Sequence, residues 1–285
     1  DVPSGFLVGQ AAHRQEIQID CCRAGTHLID PALPELLDSC AYPLHFIDFE
    51  GSRVSLPYHE GMHPYEQALF QWSCHSIPKP GGRLKHKEWL NTEDAFPNFD
   101  FARSLKKQIG NKGTVFVWSH YERTALRGTR QQMEVYGEDD ESLATWLDEL
   151  GDQNCPRVVD LCKLAKDYYF HPMMMGSVSI KYVLPAAWES DDALREDPDF
   201  KEYVGTGPDG HLLNPYDTLP PLPIGEKEEV VKEGTGAMRV YQEMLYGRAQ
   251  HDPDIREQYR QLLLQYCKLD TAAMVMIWKH WVNQD

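Results

Sequence analysis

The sequence predicts an α/β domain in which helices cover a single mixed sheet, and three observations carry that expectation. Residues 42–50 (YPLHFIDFE), 68–77 (ALFQWSCHSI) and 83–90 (RLKHKEWL) follow one another as apolar, partly alternating runs. Lys79-Pro80-Gly81-Gly82 breaks the chain between the last two, so the trio reads as an antiparallel meander. Residues 114–118 (TVFVW) then form a dense β-branched and aromatic run, the composition of a strand buried on both faces. Segments with helical spacing separate and follow these strands.

Taken in order, residues 1–33 lack a convincing period and carry Pro3, Gly5, Gly9 and Gly25. They read as an extended arm or the tail of a preceding module, which sets 1–41 apart from a domain at 42–285. Residues 34–40 (PELLDSC) suit a short helix that ends before Pro43. Asn91-Thr92-Glu93-Asp94 has helix-start chemistry, and Phe96, Phe99, Phe101, Leu105 and Ile109 continue it until Gly110 and Gly113. Helices are expected at 121–136 and 142–150. A short strand at 158–161 runs into a helix through Tyr169, and 176–184 makes a short helix ahead of Pro185. From 188 to 234 acids and prolines accumulate and apolar periodicity is lost, so this stretch reads as an acidic insertion lying over the core. Helices at 235–248 and 254–281 close the chain.

A chain of 285 residues with 42% hydrophobic and 11% aromatic content can bury a sizeable core. It has no run of about 18 apolar residues and no secretory signal, so neither a membrane span nor export is expected. Seven scattered cysteines, none in a C-x-x-C pair, predict reduced thiols and a cytoplasmic setting. The chain opens on Asp1 without a methionine and reads as a piece of something longer. A net charge of −16 argues against gripping a polyanion over the whole surface, but not against a local groove or an acidic, cation-loaded site.

Chemistry concentrates in three places. Asp48 and Glu50 close the first strand one residue apart, so both carboxylates share a face and repel unless a cation lies between them. Acids closing a strand at a turn would look the same. Glu122 sits in the first turn after the 114–118 strand, where the helix dipole alone favours an acid. Tyr266 and Asp270, four apart in the last helix, share a face inside an unusually apolar segment.

Together these segments resemble the DEDD superfamily of 3'-to-5' exonucleases, which have a ribonuclease H-like fold. The likeness rests on D-x-E at the end of a first strand, an acid after the fourth strand, and Y-x-x-x-D in a late helix. It extends to Asp160, which opens a helix in V-V-D-L. Closer still is the resemblance to a bacterial domain family of this superfamily, often found after a RecB-like nuclease module, through GSVSIKYVLP at 176–185 and YCKLDT at 266–271. It covers roughly residues 42–281. Two features depart from the superfamily pattern: Glu122 stands where Asp is usual, and the 188–234 insertion lengthens the gap to Asp270. Gln265, five before Asp270, is not the His of the sister subclass.

The resemblance implies a two-metal exonuclease using Mg²⁺ or Mn²⁺ on nucleic acid, with single-stranded ends of DNA or RNA as substrate. It implies a nuclease module of the same longer chain as a partner. Asp48 would bridge both ions, Glu50 and Asp270 would complete one, Glu122 would hold the other, and Tyr266 would orient the attacking water. Hard divalent ions prefer oxygen donors of this kind. Strand-holding candidates are Arg123, Arg127 and Arg130 on one helical face, His120, and Lys181 with Ser177 and Ser179. Each also suits an ordinary structural role. Two further readings use the same acids: a catalytically degenerate nucleic-acid-binding or scaffolding module, and a metal-dependent hydrolase of small phosphorylated molecules.

Overall fold

A computed structural model describes residues 12–220, 222–224, 227–229 and 234–283. The elements are α1 (Ala12–Ala24), β1 (Leu28–Ile29), α2 (Ala32–Asp38), β2 (Leu44–Arg53), β3 (Gln67–Ile77), β4 (Lys85–Leu90) and α3 (Asn98–Ile109). Next come β5 (Thr114–Val117), α4 (Tyr121–Tyr136), α5 (Glu141–Gly151), β6 (Val158–Asp160), α6 (Leu161–Tyr168), β7 (Tyr169–Phe170), α7 (Ile180–Ser190) and α8 (Asp192–Glu196). The chain closes with β8 (Leu222–Ile224), β9 (Lys227–Glu229), α9 (Gly234–Leu245) and α10 (Pro253–Val282).

Five strands form the main sheet in the order β4-β3-β2-β5-β6. β2, β3 and β4 are the antiparallel meander, and β5 and β6 continue the sheet parallel to β2. Alternation along β2 sends Ile47 and Phe49 to one face, against α3, α4 and α5. Leu44 and Phe46 go to the other, against α2, α7 and the C-terminal half of α10. The result is a mixed α/β domain with helices on both faces of its sheet. The parallel pairing of β2 with β5 stops at Phe46 opposite Phe116. Asp48 and Glu50 therefore stand beyond it, where β5 has left the sheet for α4.

α10 is the longest element, and two apolar clusters meet along it. Leu269, Ala273, Ile277 and Trp281 belong to the main core. Leu262, Leu263 and Tyr266 pack with Phe70 and α9. A buried polar seam ties this helix to β3: Gln71 Nε2 donates to the Leu263 carbonyl at 2.9 Å, and Thr271 Oγ1 lies 2.8 Å from both Ser73 Oγ and His75 Nδ1. The register between β2 and β3 shifts at Glu50/Gly51, which pair with Gln71 and Leu69. Phe70 is the extra residue, and the bulge lies beside Glu50.

Several expectations are corrected. Residues 12–24 are helical rather than extended; Arg14 Nη1 donates to the Lys166 and Tyr169 carbonyls at 2.6 and 3.0 Å, which docks α1 on the C-terminal end of α6. α2 begins at Ala32 and ends at Asp38. α3 starts at Asn98, after Pro97, rather than in the 91–94 stretch. There the Asn91 side chain serves a turn, donating to the Glu93 carbonyl and the Tyr241 hydroxyl, both at 2.8 Å. α7 runs through Pro185 to Ser190, because Ala186, Ala187 and Trp188 beyond the proline are buried in the main core. Residues 188–190 thus belong to that helix, and the inserted segment begins after them. It contributes to the core through Phe200, Tyr203, Tyr216 and Leu219. The first eleven residues of the expected arm, and 221, 225–226 and 230–233 of the insertion, lie outside the described residues.

All seven cysteines carry free thiols. Among the described residues no helix is long and apolar enough to cross a membrane.

Candidate active site

β2 runs on past the point where its parallel neighbour leaves the sheet, and the opening there is walled by α4, α7, α9 and α10. Asp48 and Glu50 enter it from β2, and Asp270 enters from α10, more than two hundred residues later in the chain. One carboxylate oxygen of each lies within 4.8 Å of the other two. Glu122, in the first turn of α4, lines the same cavity of about 340 Å³ without joining that tight group. The position follows the general rule that open α/β sheets hold ligands beyond the carboxyl ends of their parallel strands.

Four acids in one cavity repel. Burial first, and then the charge of Asp270, pushes the Asp48 carboxyl up to about 8. Burial, followed by Asp48 and Asp270, raises Glu50 well above the ordinary range. Glu122 is raised likewise by burial and then by Asp48. Its Oε2 is buried with no hydrogen-bond partner among the described residues, which is costly for a carboxylate. An all-oxygen donor set, mutual repulsion and an orphaned buried oxygen together fit a hard divalent cation, which relieves each of these costs.

Three donors temper the charge. The Cys267 thiol lies 3.4 Å from Asp48 Oδ2. Lys181 Nζ pairs with Asp270 Oδ1 at 2.7 Å, and the Tyr216 hydroxyl donates to the same oxygen at 2.5 Å. The Lys181 ammonium also lies 3.5 Å from the centroid of the Tyr216 ring and 4.7 Å from that of Tyr266. Tyr266 lines the cavity, and burial, then Asp270, raises its phenol so that it stays a neutral donor. Tyr121 forms another wall; its hydroxyl accepts from Gln67 Nε2 at 2.6 Å. A Cβ at Gly51 would lie 2.7 Å from that hydroxyl, so only glycine leaves room for it.

Of the residues singled out from sequence, Asp48, Glu50, Glu122, Lys181, Tyr266 and Asp270 line this cavity. The others lie elsewhere. Arg123 donates to the Gln153 carbonyl at 2.7 Å and Arg127 to Thr124 Oγ1 at 3.3 Å; Arg130 pairs with Glu134 and Asp148. That helical face serves α5 and its following loop. His120 stands at the N-terminal boundary of α4 without a side-chain cap; its Nδ1 lies 3.0 Å from Ser119 Oγ. Ser177 Oγ accepts from the Ser179 amide at 3.2 Å. Asp160 caps α6 and also accepts from the Ser119 amide at 3.0 Å, so it braces the turn into α4 from behind.

Tyr216, Cys267, Tyr121 and Trp118 are site residues that the sequence reading passed over. Cys267 was within reach, as the neighbour of Tyr266. Tyr216 carried no signal, because it lies in a proline-rich stretch with no period.

A family model described as a domain of unknown function (DUF2779) matches residues 45–179. The match takes in Asp48, Glu50, Glu122 and Asp160 and stops short of Lys181, Tyr216, Tyr266 and Asp270. No curated protein and no solved structure matches the chain.

Proposed function

We propose that the protein is a metal-dependent 3'-to-5' exonuclease that hydrolyses phosphodiester bonds at single-stranded ends of DNA or RNA, built on a ribonuclease H-like fold. The observation that carries this reading is the convergence of Asp48, Glu50 and Asp270 within 4.8 Å from two distant elements, with Glu122 on the wall of the same cavity. The sheet supports it too: a three-stranded antiparallel meander, with two further strands parallel to the first.

Mg²⁺ or Mn²⁺ held there would lower the pKa of an attacking water and neutralise charge developing on the leaving oxygen. Asp48, Glu50 and Asp270 would hold one ion, and Glu122, with Asp48, a second. Tyr266, kept neutral, would donate a hydrogen bond and orient the water. Lys181, the only basic side chain among the described residues lining the cavity, would meet a phosphate.

A second reading, a nucleic-acid-binding module without cleavage, gains from one observation: Glu122 stands outside the tight group. One experiment separates the two. End-labelled single strands are incubated with Mn²⁺, and a ladder of shortened products is expected that disappears in Asp48→Ala. Tight strand binding with no ladder favours the module, and cleavage of free nucleotides alone favours a hydrolase of small phosphorylated molecules.

A further inference from the structure

Asp270 is held in a way that a plain metal ligand does not need. Its Oδ1 receives two donors, Lys181 Nζ at 2.7 Å and the Tyr216 hydroxyl at 2.5 Å. These fill the two lone-pair directions of that oxygen. The ammonium itself lies against the rings of Tyr216 and Tyr266, each of which attracts a cation through its π face.

Tyr216 is firmly built into this position. It is buried in the main core and belongs to a 3-10 turn, Pro215–Asp217, within the inserted segment. The Asn214 side chain accepts from the Tyr216 amide at 3.1 Å, and Thr218 Oγ1 donates to the Pro215 carbonyl at 2.8 Å. The Lys181 side chain keeps 31% of its surface exposed, against 10% for Asp270. Of the two partners, Lys181 is the one whose side chain meets solvent more.

We propose that Lys181, clamped by Tyr216 of the inserted segment, is a resident counter-cation that competes with a divalent ion for Asp270. The insertion thereby sets how tightly the site takes up metal. This rests on reading the acid cluster as a metal site, and it adds a regulator that the cluster alone does not contain. Tyr216 acts through Lys181 and Asp270 and is a positioning residue. Competition is reciprocal: removing the ammonium must tighten ion binding, whereas a lysine that merely braced Asp270 would weaken binding on removal.

The test is Mn²⁺ titration of the full chain by calorimetry, with melting followed in the presence and absence of Mn²⁺. Lys181→Met is expected to bind Mn²⁺ at least about tenfold more tightly, since a unit positive charge a few ångströms from the ion is gone. Its melting temperature should also rise more with Mn²⁺ than that of the wild type. Lys181→Arg keeps the charge and should retain the wild-type affinity. Tyr216→Phe keeps the ring, removes the donor, and should tighten binding by a smaller factor. Unchanged or weaker binding in Lys181→Met overturns the competition, and the same result in Tyr216→Phe overturns the part given to the insertion. If neither the wild type nor Lys181→Met binds Mn²⁺, the metal site itself falls, and the proposed function with it.

Discussion

Asp48 shows at the scale of one residue why a cluster of buried acids is costly to fold. Its carboxyl is pushed up to about 8 by burial and by Asp270, so the metal-free folded chain keeps a proton that the unfolded chain sheds near pH 4. Between those values unfolding releases that proton, and the folded state loses stability as the pH rises, by at most about 1.4 kcal/mol per pH unit. Above pH 8 the contribution is flat. Asp48→Asn lacks it, so its melting temperature should be close to that of the wild type at pH 4 and exceed it increasingly up to pH 8. A gap that stays constant over this range would contradict the assignment. At this scale Tyr266 and Asp270 were legible because spacing by four on a helix puts them on one face. Tyr216 was not, because no local pattern ties a tyrosine in a proline-rich turn to an aspartate 54 positions away.

Among the elements, α10 and β3 depend on the polar seam between them. Thr271 Oγ1 is the shared partner of Ser73 and His75, and all three are buried. Thr271→Val keeps the shape and leaves those two groups short of a partner, so a loss of about 1–3 kcal/mol is expected, read as a lower urea midpoint with unchanged slope. The strands and long helices were readable from their period, as β5 and α4 illustrate. The boundaries that went astray have specific causes. Pro97 delays α3, since a proline disfavours helical backbone in the residue before it. Burial of Ala186, Ala187 and Trp188 carries α7 past Pro185. α1 has no apolar stripe to betray it, and Arg14 docks it through carbonyls at the end of α6 and the start of β7.

For the molecule as a whole, the described residues before Tyr42 are not an appendage to the core. Leu33 and Leu37 of α2 are 0% and 2% exposed within the main cluster. Each buried leucine contributes about 1.5–3 kcal/mol. A chain begun at Tyr42 should therefore melt well below the full chain or fail to fold. Equal melting temperatures for the Tyr42 and full-length chains would refute this. The net charge of −16 argues against gripping a polyanion over the whole surface.

What the sequence determined by itself was local and periodic. It specified the meander, the buried fifth strand, the paired acids on one face of β2, and the tyrosine and aspartate one turn apart on the last helix. All of these follow from side-chain spacing, composition and turn signals between neighbours in sequence. Only the tertiary structure decided which of those elements meet. It brought Asp270 to Asp48 and Glu50, left Glu122 on the cavity wall, turned Arg123 and Arg127 toward α5, and drew Lys181 and Tyr216 onto Asp270. Contacts between distant segments depend on how whole faces pack, and no residue's neighbours in sequence record that.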